Sequence, residues 1–258
     1  MSWYWQFATP TLMVTDLDLI KQVQVTAFDH FKDGKFIPDD YLATMGLQLG
    51  LVDARGEEWK ELKKLLTPAF SGPRIRKTAE AMNRVGALMV HHLTRQGEQG
   101  EQVNVEDAME KFSMTCIAEV VFGVDVNCFE NPDNAFFENG KSLMQMWRFL
   151  MVMFTPTLMK WLRIPVFNPK SVKHFQKMCS GIVEQRKNSK VEKKDILDNL
   201  IRASETSPLM TPDMMFTSMT QFFSDGYEGM SRISSVIIHL LALHPEVQEQ
   251  GQLVYLPG

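Results

Sequence analysis

Apolar residues recur along this chain at the three-to-four-residue spacing of amphipathic helices, and strict alternation is rare. A short helix is predicted over residues 16–28, with Leu17, Ile20 and Val23 on one side. Residues 31–53 carry Gly34, Pro38, Gly46 and Gly50 and read as loop. The stretch 57–69 sets Trp59, Leu62, Leu65 and Leu66 on one apolar side, closed by Pro68 and Gly72. A helix over 74–95 is expected to stop at Gly97. Asn104 caps the next, which runs through Val121 to a stop at Gly123. Helices over 134–153 and 169–186 follow, separated by the stretch 156–165 with a proline at each end.

The last helix is the most informative. Thr211 is its N-cap, Pro212 sits where proline is tolerated, and Asp213 suits the positive helix end. Its apolar pattern runs through Phe216, Met219, Phe222, Phe223, Ile233, Ile237 and Leu241 to the pair His244-Pro245. That is about 33 residues, or about 50 Å at ~1.5 Å per residue. Strand signal is weak, limited to residues 11–15 and 49–53. The fold class is mainly α, with minor β near the N-terminus.

Composition narrows the partners. The chain of 258 residues has a net charge of −4 and no dense basic stripe, which argues against nucleic acid. The densest basic stretch, 186–194, is interrupted by Glu192 and reads as a solvated loop. Methionine is abundant, at 18 residues, and its flexible thioether suits irregular apolar space. Cys116, Cys128 and Cys179 are an odd count without a signal peptide, which points to reduced thiols facing the cytosol. A bilayer span needs about 20 apolar residues. The best candidate, 143–167, is broken by Arg148, Lys160 and Arg163. The N-terminal MSWYWQFATPTLMV is aromatic but short and lacks a basic start.

Two segments carry candidate chemistry. In GEEWKELKKLLTPAF, residues 56–70, Trp59 and Lys63 are four apart and share a helix face. An indole N–H beside an ammonium clamps an anionic group from one side; a buried Trp with a surface Lys gives the same spacing. In FFSDGYEGMS, residues 222–231, Asp225, Gly226 and Glu228 interrupt an apolar stripe. Each glycine in a helix interior costs about 1 kcal/mol relative to alanine, and Gly229 repeats the cost within one turn. A kink with solvent-facing acids is one reading. A flat group lying on bare backbone, or a place where protons are delivered, is the other.

Together and in order, these segments resemble the cytochrome P-450 family. Residues 56–70 are similar to the family's W-x-x-x-R helix, with Lys63 in the place of the arginine. That resemblance implies that Trp59 and Lys63 are cofactor-binding, meeting haem propionates. Residues 225–229 resemble the oxygen-binding motif [AG]-G-x-[DE]-T. Gly226 and Glu228 match; Asp225 stands for the small residue and Gly229 for the threonine. LMVTDLDLIKQV (12–23), FSMTCIAEVVFGVDVN (112–127), DILDNLIRAS (195–204) and LLALHPEVQEQ (240–250) extend the likeness over residues 10–250, leaving 251–258 as an atypical tail.

The resemblance is to the microsomal branch that oxidises steroids and foreign compounds. It implies one incomplete cytochrome P-450 domain over 1–258 and haem as cofactor. It also implies an apolar small-molecule substrate, an NADPH-dependent reductase and the endoplasmic reticulum membrane, although this chain has no anchor of its own. Gly226 would let O₂ approach the helix, also contacting the cofactor, and Glu228 would relay protons as a catalytic residue. Gly229 removes the hydroxyl that steers them. Phe149, Leu150 and Phe222 are candidates for the substrate pocket, or are plain core. The Met-rich stretch 144–159 is similar to the family's roof over the substrate channel, which often touches the membrane.

The family's F-x-x-G-x-R-x-C-x-G pattern does not occur here, and no cysteine fits it: Cys179 precedes Gly181 by two, but Phe175 and Lys177 fill the glycine and arginine positions. No metal ligand is therefore assigned. Gly251 and Pro257 are expected to end the last helix. A truncated chain that does not ligate iron on its own is the leading expectation. A short, non-catalytic isoform acting as a helical binding or regulatory protein is the alternative.

Overall fold

The computed structural model describes residues 2–6, 9–33, 50–52, 54–189 and 195–255. At the N-terminus β1 (Ser2–Gln6) pairs antiparallel with β2 (Thr9–Met13), Ser2 opposite Met13 and Gln6 opposite Thr9. The strand expected over 11–15 therefore begins earlier, because the aromatic start of the chain supplies its partner. Of the second expected strand, residues 50–52 form a turn, and 49 and 53 lie outside the described residues, as does most of the 31–53 loop.

The rest is helical. The first expected helix divides into α1 (Leu17–Lys21), one wide π turn (Gln22–Thr26) and α2 (Phe28–Phe31). Asp16 caps it, its carboxylate accepting the Leu19 N–H at 2.9 Å. Then come α3 (Gly56–Leu66), which tightens into a 3₁₀ turn (Thr67–Phe70), and α4 (Gly72–Glu98). Next are α5 (Val105–Ile117) with a π segment (Ala118–Phe122), α6 (Ala135–Leu143), α7 (Met146–Phe154) and α8 (Pro156–Leu162). The chain continues through α9 (Pro169–Ser189), α10 (Ile196–Thr206), α11 (Pro212–Leu243) and α12 (Pro245–Tyr255). The caps fall where side-chain chemistry puts them. Asn104 accepts from Asp107 N at 3.2 Å, and Thr211 from Met214 N at 3.1 Å. Gly123 ends the α5 segment in the left-handed conformation, φ 63°.

Five expectations are corrected. Gly97 does not stop α4; the chain turns at Gly100, φ 69°. The single helix over 134–153 is two. Met144 and Gln145 are extended because Met144 forms an antiparallel bridge with Phe167 and the Asn168 N–H donates to the Leu143 carbonyl at 2.9 Å. Arg186 is no loop residue: it lies buried near the end of α9, while 190–194 fall outside the described residues. Gly251 does not end the final helix, which runs to Tyr255. Finally, the α3 helix closes at Leu66 in the tighter 3₁₀ turn rather than continuing to Ala69. Gly97 and Gly251 show how weakly one glycine breaks a helix whose neighbours favour it: the cost is only about 1 kcal/mol.

The most extensive packing is α5 against α11. Phe122, Phe136, Phe175 and Phe223 converge there, ring centroids 5.0–6.0 Å apart, mostly edge to face. Met114 and Met219, both fully buried, fill the space between them. Gly140 lets α6 approach this cluster; a Cβ there would lie 2.6 Å from the Met114 methyl and 2.9 Å from the Phe223 ring. Beside the core, the Arg186 guanidinium bonds Asp198 at 2.6 Å and Asp195 at 2.6 and 2.8 Å, Arg186 and Asp198 buried and Asp195 partly so, joining α9 to the start of α10. Burial alone would weaken the arginine's charge; the two carboxylates outweigh it and raise its pKa. Among the described residues no helix is long and apolar enough to cross a membrane.

Candidate functional site

The interrupted stripe lies two-fifths of the way along α11, where the helix emerges from the core. Residues 214–220 and Phe223 are buried, whereas Ile233, Val236, Ile237, Leu240 and Leu243 are exposed. At the transition Phe222 packs on Phe70, edge to face with centroids 5.4 Å apart. One residue earlier, the Gln221 side-chain carbonyl accepts the Leu51 N–H at 3.0 Å. The Asn199 amide on α10 donates to the Leu65 carbonyl of α3 at 3.0 Å. These contacts draw the end of α3 toward the turn of α11 that precedes Asp225.

The two glycines of the stripe differ. Gly226 is not the open position expected of it: a Cβ there would meet Ile117 Cδ1 at 2.5 Å, so its missing side chain lets α5 press close. A Cβ added at Gly229 would meet no other group within 4 Å, so the bare backbone faces open space there. Asp225 keeps a solvent-facing side, yet partial burial of its carboxyl raises its pKa. Glu228 is half-buried. Its carboxylate accepts from Arg232, one turn on, at 2.8 and 3.1 Å.

Glu228 opens on a cavity of about 590 Å³ between α5, α6 and α11, which Glu110, Lys141, Tyr227, Arg232 and His239 also line. Lys141 reaches across from α6 to bond Glu110 on α5 at 2.7 Å. Burial holds the Tyr227 phenol well above its usual pKa, and the charge of Glu110 adds to the effect, so this hydroxyl stays protonated. Sequence reasoning found Glu228 but missed Tyr227, Glu110 and Lys141. Tyr227 adjoins Glu228 in sequence, whereas Glu110 and Lys141 come to the same cavity only once α5 and α6 dock.

Trp59 and Lys63 do share a face of α3. The ammonium sits 4.6 Å above the indole centroid, a cation–π contact, and the half-buried indole leans on Phe28 at 5.8 Å. Lys63 is exposed. Among the described residues no hydrogen bond, ion pair or ring contact joins this pair to residues 225–229. Phe149 and Leu150 lie on α7, whose packing is chiefly with α8, and Leu150 is exposed; only Phe222 of the three candidate pocket residues borders the stripe. Exposed apolar side chains instead run along α7 and α8, with Trp147, Phe154 and Trp161 each more than half exposed.

None of the three thiols is a ready metal ligand. Burial pushes Cys116 and Cys179 up to about 12 and raises Cys128 as well. Among the described residues no cluster of three or more His, Cys, Asp or Glu forms a metal cage.

The structure thus holds an apolar helix face with bare backbone at Gly229, a carboxylate at the edge of a cavity of mixed lining, and, apart from both, an indole–ammonium pair. Comparison with known proteins names the class. The profile of the family described as Cytochrome P450 matches residues 1–252, and the chain belongs to that family. Similar proteins include Cytochrome P450 9b2 of Drosophila melanogaster, 28% identical across 96% of this chain and 51% of its own length. Cytochrome P450 3A29 of Sus scrofa is 31% identical across 94% and 50%. Cytochrome P450 9e2 of Blattella germanica is 25% identical across 96% and 53%. The chain spans about half the length of the curated relatives it matches.

Proposed function

We propose that the protein is a haem-dependent monooxygenase that inserts one oxygen atom of O₂ into an apolar small molecule of the steroid or xenobiotic class. Its electrons come from an NADPH-dependent reductase at the endoplasmic reticulum membrane. The observation that carries this reading is the pairing of bare, open backbone at Gly229 with Glu228 facing the cavity, lined by both polar and apolar side chains, on the same turn. The residues fit one side of the cofactor. Beyond Gly229, the exposed side chains of Ile233, Val236 and Ile237 offer apolar surface to a flat macrocycle. Lys63, held by Trp59, offers a propionate one charge as a point donor, without arginine's planar fork. A bound haem supplies oxygen activation, which a thiolate ligand to the iron favours.

The protein's own part is positional. Glu228 takes protons from the cavity, and Arg232 holds its carboxylate in place until then. Asp225 adds a second carboxyl, whose raised pKa makes it a weaker acid on the open side. Gly226 sets how closely α11 rests on α5 and so where Glu228 stands. Gly229 offers no hydroxyl to direct the proton. Phe222 bounds the apolar substrate, and Phe149 and Leu150 belong to the α7–α8 roof, whose exposed aromatic surface fits a membrane. A second reading is favoured by the three buried, protonated thiols: this chain by itself acts as a helical binding or regulatory protein that does not ligate iron.

The test joins residues 1–250 to the matching C-terminal half of the 31%-identical relative and titrates the product with haem. The expected result is a thiolate-type Soret band in the reduced CO difference spectrum from the fusion and none from the chain alone. Lys63→Ala should weaken haem binding, and Gly229→Thr should raise the product-to-peroxide ratio. A folded fusion whose haem affinity ignores Trp59 and Lys63, and whose ratio ignores Gly229, would overturn the assignment.

A further inference from the structure

A second cavity, of about 500 Å³, lies at the other end of the fold, between α9, α10 and the first two turns of α11. Its nearest α11 residue, Met219, precedes Gly226 by seven positions, about 10 Å along the helix axis. Cys179, Met210, Met215, Phe216 and Met219 form its inner wall, and every one of them is buried. The volume falls within the roughly 300–1,000 Å³ of small-molecule sites. Water gains little there. A buried water needs about two to four polar partners, and this wall offers thioethers, a ring and a protonated thiol. Three methionines converging on one space also let the wall reshape around an apolar guest.

The mouth is different. Glu184, Lys187 and Asn188 stand on one edge of α9, exposed and without hydrogen-bond or ion-pair partners among the described residues. The neighbouring cation, Arg186, is wholly engaged with Asp195 and Asp198. Glu184 and Lys187 are three apart on a helix, hence on one face. Opposite charges side by side disfavour a charged head of either sign, since one of the two repels it. A hydroxyl suits both, donating to the Glu184 carboxylate and accepting from the Lys187 ammonium. Across the mouth, Ser204 spends its hydroxyl on the Ile201 carbonyl at 2.6 Å and does not compete.

We propose that this cleft binds a neutral lipophile carrying a single hydroxyl, an aliphatic or alicyclic alcohol, at a site separate from the α11 stripe. The site uses no cofactor and does not depend on the oxygenase reading. The chain, labelled with ¹³C at its methionine methyls, is titrated with 1-decanol, decanoate and decylamine in parallel. Saturable shifts of the Met210, Met215 and Met219 methyls are expected, with decanol binding at least fivefold tighter than either ion. Ser180→Trp, on the exposed rim, should weaken decanol at least tenfold while far-UV circular dichroism stays unchanged. The site is refuted if those three methyls do not move, if shifts fall only on methionines elsewhere, or if Ser180→Trp binds decanol normally. The choice of head group is refuted if decanoate or decylamine binds as tightly as decanol.

Discussion

Replacing Gly123 with alanine tests how the buried ion triad holds the fold. Gly123 lies at φ 63°, and a Cβ there would overlap Arg186 Nη2 and Asp195 Oδ2. Two costs follow. A left-handed alanine costs about 1–2 kcal/mol. Pulling the guanidinium off carboxylates that are themselves buried approaches the ~3–5 kcal/mol of breaking a buried pair. The sum is about 3–5 kcal/mol, because the triad yields only in part. Gly100→Ala is the matched control: φ is 69° there, with nothing within 4 Å of the added carbon. It bears the strain alone, about 1–2 kcal/mol. Urea denaturation followed by circular dichroism gives both values. Thermal melts should fall roughly 10 °C for Gly123→Ala and roughly 3 °C for Gly100→Ala, at ~2–4 °C per kcal/mol for a chain of this size. With Arg186→Met as background, the Gly123→Ala penalty should shrink to the strain, a coupling of about 2 kcal/mol. If the two glycine variants lose equal stability, or no coupling appears, the ion triad is not what the glycine accommodates.

Three further outcomes follow from the same geometry. Gly229→Ala should stabilise the chain by about 1 kcal/mol, since the side chain enters open space, and Gly226→Ala should gain clearly less because Ile117 must move; equal gains in urea midpoints would contradict the assignment of the two faces. Cys116 and Cys179 ionise near 9 when unfolded but near 12 when folded, so the fold favours their protonated form. The stability they contribute is complete below about 9 and is lost as pH rises through about 12; a urea midpoint that climbs between pH 9 and 11, or native alkylation as fast as that of the unfolded chain at pH 9, would show the thiols are not held this way. Arg232→Ala should cost less than about 0.5 kcal/mol, as its pair with Glu228 is a largely exposed i,i+4 contact; a melt lowered by several degrees would reveal a structural role instead.

Local chemistry was legible without the fold. Asn104 and Thr211 cap their helices because a short oxygen-bearing side chain satisfies the free N–H groups of the next turn, whatever lies nearby. Trp59 and Lys63 meet because helical pitch sets residues four apart on one face. The break after Leu143 was not legible, because it depends on Met144 finding Phe167 more than twenty residues on, a partner that no local window contains. Nor did the stripe reveal which glycine lies open. Both cost the helix the same in isolation, and only the docking of Ile117 against Gly226 leaves the free surface at Gly229. Arg186 looked like one more solvated base. It is buried because Asp195 and Asp198 at the start of α10 meet it on α9, and electrostatics of that kind is decided by which elements pack together, not by the order of residues along the chain.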